Sequence, residues 1–471
     1  MNRLFSLFLS VMAVFASPLP LKARPPNFVV ILIDDMGYGD IGPFGSTLNE
    51  TPHLDRMAAE GMTLTSFYVA APLCTPSRAA LMTGSYPRRV GLGKGSGHVV
   101  LFPGDAHALH PDEITIAEVL KPAGYATGCF GKWHLGDQKG FLPTDQGFDT
   151  YFGIPYSNDM WAGHADWDFP GLPVMRDHEI VDEIKTMENQ GTLCRRFTEE
   201  AVKFITTSKE QPFFVYLPHA FVHHPRAASP EFMAKSKDET EAQIEEVDWS
   251  VGQILDTLRK NGLAENTLVL FTSDNGGTAG NVNKPLRGGK GSAFEGGMRE
   301  PTVVWRPGTV PAGTRCDEIL TSMDLLPTFA QMAGAKAPSD RVIDGRDITP
   351  LLRGEHGAKS PHDRFFYHQG DTLRAVRSGP WKLFVSGELY QLHDDISESK
   401  DVAAQHPDVV ARLKPMFAAF ESDLAANSRP VGKTHATRTL LPRPGVEGDE
   451  AWRPTLELGP KPKPATKKNR K

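Results

Sequence analysis

Continuous apolar runs that stop abruptly at charged or polar residues recur along the first two thirds of the chain. Asn27-Phe28-Val29-Val30-Ile31-Leu32-Ile33 has no polar position after its first residue. That is the pattern of a parallel strand buried on both faces, not the alternation of a half-exposed one. Shorter runs predict further strands over 125–130, 212–217, 267–272 and 302–305. Helical periodicity with start and stop signals predicts helices over 52–61, 115–124, 195–208 and 239–260, the second stopped by Gly124. Strands alternating with helices predict an α/β fold around one large, mostly parallel sheet flanked by helices. In such sheets ligands gather where the strands end, so the residues that stop each run carry the interest.

Beyond about residue 309 the pattern changes. A helix over 323–333, stopped by Gly334, precedes short strands over 364–367, 373–377 and 382–385 and a helix over 405–424. The chain therefore reads as a large α/β domain over 24–308 with a smaller C-terminal α+β subdomain over 309–430 packed on it. The stretch 147–173, rich in aromatics and proline without periodicity, predicts functional loops. Residues 1–23 carry a basic start, an apolar run from Leu4 to Phe15 and small residues at Ala16-Ser17, the signature of a signal peptide cleaved within 16–23. Residues 431–471 form an extended basic tail, rich in Lys and Pro from Lys461, and are expected to be disordered.

Composition changes this picture little. With 40% hydrophobic and 23% charged residues, the 471-residue chain is an ordinary globular protein. No later segment is apolar enough to span a bilayer, so an exported protein, periplasmic or secreted and without stable membrane insertion, is expected. A net charge of −6 argues against nucleic acid or another extended polyanion as partner. Four cysteines, Cys74, Cys129, Cys194 and Cys316, exclude a disulfide scaffold.

Candidate chemistry sits where the runs stop. Asp34 and Asp35 are adjacent carboxylates at the end of a buried strand; they repel and lose hydration, and so require a cation or several donors. Asp274-Asn275 ends a second strand, and the four side chains together supply the oxygens of a hard divalent cation. That leaves the nearby His219, His223 and His224 for proton transfer. Cys74 opens Cys-Thr-Pro-Ser-Arg-Ala-Ala-Leu-Met-Thr-Gly, whose proline and helix formers put the thiol at the positive end of a short helix with Arg78 one turn on. Lys132 and His134 are two apart and share a face if extended. Lys290 lies in Arg-Gly-Gly-Lys-Gly, where glycines let one ammonium approach an anion closely.

The run from Cys74 to Gly84 resembles the signature of the type I sulfatases, in which the cysteine is oxidised to formylglycine. Gly-Lys-Trp-His-Leu-Gly at 131–136 fits the same family. Arg-Pro-Pro-Asn at 24–27, Gly-Ile-Pro-Tyr-Ser at 153–157 and Glu-Gly-Gly-Met-Arg-Glu-Pro at 295–301 look most like its arylsulfatase A and N-acetylgalactosamine-6-sulfatase branch. The resemblance covers 26–424 and implies an alkaline-phosphatase-like fold. It also implies that Asp34, Asp35, Asp274 and Asn275 hold a metal together with the modified Cys74, calcium by family precedent and magnesium as the alternative. Arg78 would stabilise the hydrated aldehyde, Lys132, Lys290 and Ser157 would contact the sulfate, His134 would hold or deprotonate the diol, and His223 would protonate the leaving group. The implied partners are a formylglycine-generating enzyme and a sulfated small molecule or glycan. An exo-acting carbohydrate sulfatase is expected, with aryl sulfates as surrogates, because Trp161, His164 and Trp167 in the loop from Tyr156 to Pro170 suit stacking on a sugar. A phosphodiesterase or phosphonate monoester hydrolase on the same site, and a non-catalytic binding protein, are the alternatives.

Overall fold

The computed structural model describes residues 24–434 and 438–443. The signal peptide expected over 1–23 and most of the tail expected over 431–471 lie outside them. The strands in chain order are β1 (Asn27–Ile33), β2 (Met62–Tyr68), β3 (His107–Ala108), β4 (Ala126–Lys132), β5 (Thr150–Ile154), β6 (Leu172–Arg176), β7 (Glu179–Ile184), β8 (Phe213–Pro218), β9 (Thr267–Ser273), β10 (Arg299–Trp305), β11 (Thr314–Cys316), β12 (Leu320–Thr321), β13 (Phe365–Gln369), β14 (Thr372–Ser378), β15 (Trp381–Phe384), β16 (Leu389–Gln391) and β17 (Gly432–Lys433). A mixed sheet runs β11-β2-β10-β9-β1-β8-β4-β5-β6-β7, with β12 also on β2. Its centre, β9-β1-β8-β4-β5, is parallel.

The apolar run of β1 explains itself here, because the strand has no solvent face. Val29, Ile31 and Ile33 enter one core with the helices Pro52–Glu60, Leu193–Thr207 and Glu239–Lys260. Phe28, Val30 and Leu32 enter the opposite core with the helices Cys74–Thr83, Ile116–Leu120 and Leu325–Ala333. Alternate residues of one strand thus anchor both helical layers, and a register slip would exchange them. The antiparallel sheet β13-β14-β15-β16 packs with the helix Pro407–Asn427 around a third core that also takes Tyr68 and Met298 from the large unit.

Three features depart from the sequence expectation. β5 lies inside the stretch expected to be loop, and β6 and β7 follow it as an antiparallel hairpin at the sheet edge; most of β7 is exposed, so its apolar pattern is weak. β11 and β12 pair with β2, and Leu325–Ala333 packs in the second core. Those residues pack with the large sheet, and the antiparallel sheet of the second unit starts at Phe365. Residues 431–434 and 438–443 are packed, not free: β17 pairs with β3, Thr439 is buried, and Arg443 pairs with Asp168 at 2.8 Å. A Cβ on Gly432 would meet the Ala108 carbonyl at 2.9 Å, so a small residue permits this docking. All four cysteines are free and buried. Among the described residues no helix is long and apolar enough to cross a membrane.

Candidate active site

Neighbouring strands deliver the site from their carboxyl ends. Asp34 and Asp35 follow β1, Asp274 and Asn275 follow β9, Lys132 ends β4 with His134 just beyond, Ser157 follows β5 and His223 follows β8. The helix Cys74–Thr83 points its first residue at them. Leu73 ahead of it is extended and makes no side-chain cap, and Gly84, at φ +64°, stops the helix in the left-handed conformation. Asp35 and His134 are also left-handed, at φ +66° and +61°. Backbone of this kind costs about 1–2 kcal/mol away from glycine; at Asp35 it is held by Met36 N–H donating to Ser273 Oγ at 3.0 Å.

The side chains meet in one cluster. Cys74 Sγ lies 3.4 Å from Asp34 Oδ1 and 3.5 Å from Lys290 Nζ. Lys132 Nζ bonds Asp34 Oδ2 and donates to Ser157 Oγ at 3.0 Å. Lys290 Nζ spans the Asp35 carboxylate at 2.7 and 2.9 Å. Arg78 grips Asp274 Oδ2 through Nε and Nη2, both at 2.8 Å, and donates Nη1 to the Lys132 carbonyl at 2.6 Å. Asn275 Nδ2 donates to Asp35 Oδ1 at 2.7 Å.

One ring nitrogen of each histidine is fixed as a donor, because a carbonyl can only accept. His134 donates Nε2–H to Leu101 O at 2.9 Å, and burial and Lys132 hold its pKa well below the ordinary value. Its Nδ1 lone pair is therefore available, and it is buried without a hydrogen-bond partner. His223 donates Nδ1–H to the His224 carbonyl at 2.6 Å, leaving Nε2 toward Asp35 Oδ2 at 3.6 Å. His224 is exposed. His219 is buried against Ser250 Oγ at 3.0 Å, its pKa lowered to about 3 by burial, which makes it a core residue.

Charge is not settled within the cluster. Burial opposes ionisation of Asp34, but Lys132, His223 and Arg78 outweigh it and hold its pKa well below the usual carboxylate range. Asp274, by contrast, is pushed up to about 6 by burial and by Asp34. Burial and then Asp34 push the Cys74 thiol up to about 12. Ligand atoms of Asp34, Asp35, Cys74 and His223 lie within 4.8 Å of one another, and Asn275 Oδ1 is buried with no hydrogen-bond partner. An oxygen-rich donor set with an orphaned carbonyl fits a hard divalent cation.

Two buried or half-buried acids here were given no role from sequence. Asp159 follows Ser157 by two residues; burial opposes its ionisation, but His223, Ser157 and Lys132 hold its pKa below the ordinary value. Only its proximity to Ser157 could have flagged it. Glu300 is fully buried with neither carboxylate oxygen hydrogen-bonded, and burial, Asp274 and Asp35 push its pKa well up. Of the loop aromatics expected to stack on substrate, Trp161 is packed into the core, while Trp167 is half-buried against Phe102 and Phe169.

A family model described as sulfatase matches residues 26–335, and one described as N-sulphoglucosamine sulphohydrolase, C-terminal, matches 289–422. N-acetylgalactosamine-6-sulfatase of Mus musculus is 41% identical over 400 residues, covering 80% of this chain and 74% of its own length. Arylsulfatase A of Homo sapiens is 38% identical over 339 residues, covering 67% and 66%. The solved structure of Ps i-CgsB in complex with k-i-k-neocarrahexaose superposes with a TM-score of 0.76 at 31% identity, covering 86% of this chain and 94% of that one. The alkaline-phosphatase-like fold expected from the sequence is the fold observed.

Proposed function

The chain belongs to the sulfatase family and is a sulfuric ester hydrolase, and on that premise we propose that it is exported and removes sulfate from a terminal sugar of sulfated carbohydrates. The observation that carries the reading is the convergence on Cys74 of Arg78, Lys132 and Lys290 with two imidazoles that each keep one nitrogen toward the site. Relatives named for N-acetylgalactosamine-6-sulfate and a structural neighbour bound to a neocarrahexaose support carbohydrate as the substrate class. The net charge of −6 favours a pocket around one sulfated residue over a groove for a polyanion. The pattern at 1–23 supports export, and a formylglycine-generating enzyme is the proposed maturation partner.

Converted to formylglycine, residue 74 would supply a hydrated aldehyde, one hydroxyl serving as the nucleophile toward sulfur and the other as the route by which sulfate is released. Asp34, Asp35, Asp274 and Asn275, together with the modified residue 74, would hold a calcium ion, which would supply charge neutralisation for the transferring sulfo group. The chain's own residues do the rest. Lys132 and Lys290 stay protonated, since burial disfavours the ammonium in each but Asp34 and Asp35 respectively outweigh it. They present fixed positive charge to the sulfate oxygens in a site with little water, where such charge acts strongly. Ser157, already bonded to Lys132, orients one oxygen. His134 Nδ1 is placed to take a proton from the nucleophile, and His223 Nε2 to give one to the departing alkoxide.

Peptide mass spectrometry of active enzyme tests the nucleophile: an aldehyde at position 74 is expected, and intact thiol alone in active protein would overturn it. Defined sulfated mono- and oligosaccharides test the substrate, with preference for a terminal sulfate expected. His223→Ala should lose less on aryl than on alkyl sulfates, because good leaving groups need less protonation; equal losses would assign the acid elsewhere.

A further inference from the structure

Lys290 reaches the nucleophile from a segment with no regular structure, for neither helix nor strand lies between Ser273 and Glu295. Part of what fixes this loop comes from the C-terminal sheet, beside internal bonds such as Lys290 N–H to the Gly277 carbonyl at 3.2 Å. Gln369, the last residue of β13, donates Nε2–H to the Gly291 carbonyl at 2.5 Å. Arg374, across the hairpin on β14, donates from Nε and Nη2 to Gln369 Oε1 at 2.8 and 2.6 Å. A guanidinium on the amide oxygen turns the amide NH2 toward the loop, so the direction of the Gly291 bond is set by Arg374. Gly291 in turn donates its own N–H to the Pro72 carbonyl at 2.8 Å, two residues before Cys74. One residue in the loop is thus tied on one side to the segment leading into the nucleophile and on the other to the second unit, and its neighbour carries the ammonium 3.5 Å from Cys74 Sγ.

We propose that Gln369, oriented by Arg374, is a positioning residue for sulfate transfer: it holds the Gly291 carbonyl and thereby sets where Lys290 meets the sulfate oxygens. The inference rests on the sulfatase reading of the site, with Lys290 as a sulfate-binding residue. Gln369 makes no contact with the reacting atoms, so its influence runs through the backbone of the lysine loop. Displacement of a charge-stabilising group by about 1 Å costs on the order of a hundredfold in rate.

The test is a double-mutant cycle on 4-nitrophenyl sulfate with the full-length, matured enzyme, using Gln369→Ala, Lys290→Ala and the pair, with thermal melts alongside. Gln369 is half-buried and Arg374 exposed, so the substitutions leave the cores intact. Gln369→Ala should lower kcat about tenfold to a hundredfold, with a smaller change in KM and an unchanged melting temperature. In the Lys290→Ala background the same change should cost nothing further, because the residue it acts through is gone. Gln369→Glu keeps the shape but cannot donate when ionised, and should match the alanine variant; Arg374→Ala should show a weaker loss of the same kind. Unchanged kcat in Gln369→Ala and Gln369→Glu, or equal fold-losses with and without Lys290, would overturn the proposal while leaving the sulfatase reading intact. A parent enzyme that does not cleave the sulfate ester would instead overturn that reading and this inference with it.

Discussion

Two clusters of buried carboxylates differ in what is left over. Glu295, fully buried at the start of the turn Glu295–Met298, accepts from the Tyr68 and Tyr367 hydroxyls at 2.5 and 2.6 Å, from Lys382 Nζ at 3.0 Å and from Arg299 Nη1 at 3.4 Å. Lys382 also pairs with Glu398 at 2.7 Å. Burial alone would push Glu295 up, but Lys382, Arg377 and Arg299 hold it well below the ordinary carboxylate range. At the strand ends the cations are as numerous, yet Asn275 Oδ1 and His134 Nδ1 have no hydrogen-bond partner and Asp274 sits near 6. Around Glu295 both carboxylate oxygens are hydrogen-bonded, so that carboxylate offers a ligand little and rivets two units together. An unbalanced cluster is where a ligand or reaction can still gain free energy.

That contrast can be broken at either end. Asp274→Ala and Lys290→Ala should each lower kcat by about a thousandfold or more, Lys290→Ala with little change in urea midpoint and Asp274→Ala with a lower one, because the buried Arg78 loses its partner; steady-state kinetics beside denaturant titration reads the split, and normal turnover would reassign the residue. Glu295→Gln should do the opposite, removing about 3–5 kcal/mol of stability by leaving buried cations short of a partner; a variant as stable as the parent in guanidinium would mean that the cluster is not a rivet. Calcium added to chelator-treated protein should restore activity and raise stability by about 2.7 kcal/mol at a hundred times its Kd, in Glu295→Gln as in the parent but not in Asp274→Ala.

A third buried acid sharpens the point at smaller scale. Asp248 accepts from Leu54 and His53 N–H at 2.8 and 3.1 Å, yet burial, the larger influence, pushes it up to about 7. The folded state therefore keeps a proton that the unfolded chain loses above about pH 4, so stability is full below that value and falls as pH rises toward 7. Asp248→Asn should remove about 2–3 kcal/mol of the decline between pH 5 and 7, measured as unfolding free energy against pH; parallel curves for the two proteins would refute the assignment.

How far the sequence could be read follows from what each element answers to. β1, β9 and the helix Glu239–Lys260 were legible because local pattern and tertiary burial agree, and the strand-end carboxylates were legible because no isolated strand explains them. β2, with threonine and serine at buried positions, carries no such pattern; Thr65, for instance, donates its hydroxyl to the Asp317 carboxylate. His223 was assigned over His224 by the resemblance alone, and the backbone adds that one ring is buried and the other exposed. Gln369 and Asp159 were out of reach, since their neighbours come from contacts no periodicity encodes.

Every residue of the helix Cys74–Thr83 is buried, and Cys74 itself is 2% exposed. A folded copy therefore shows a modifying enzyme neither the thiol nor the five-residue sequence around it. On the formylglycine chemistry proposed above, conversion and closure of the sheet would compete for one segment, and a copy that folded first would keep its thiol for as long as it stayed folded. The active fraction of a preparation would then follow a ratio of two rates and not the stability of the product, so that two batches with identical melting curves would differ in specific activity.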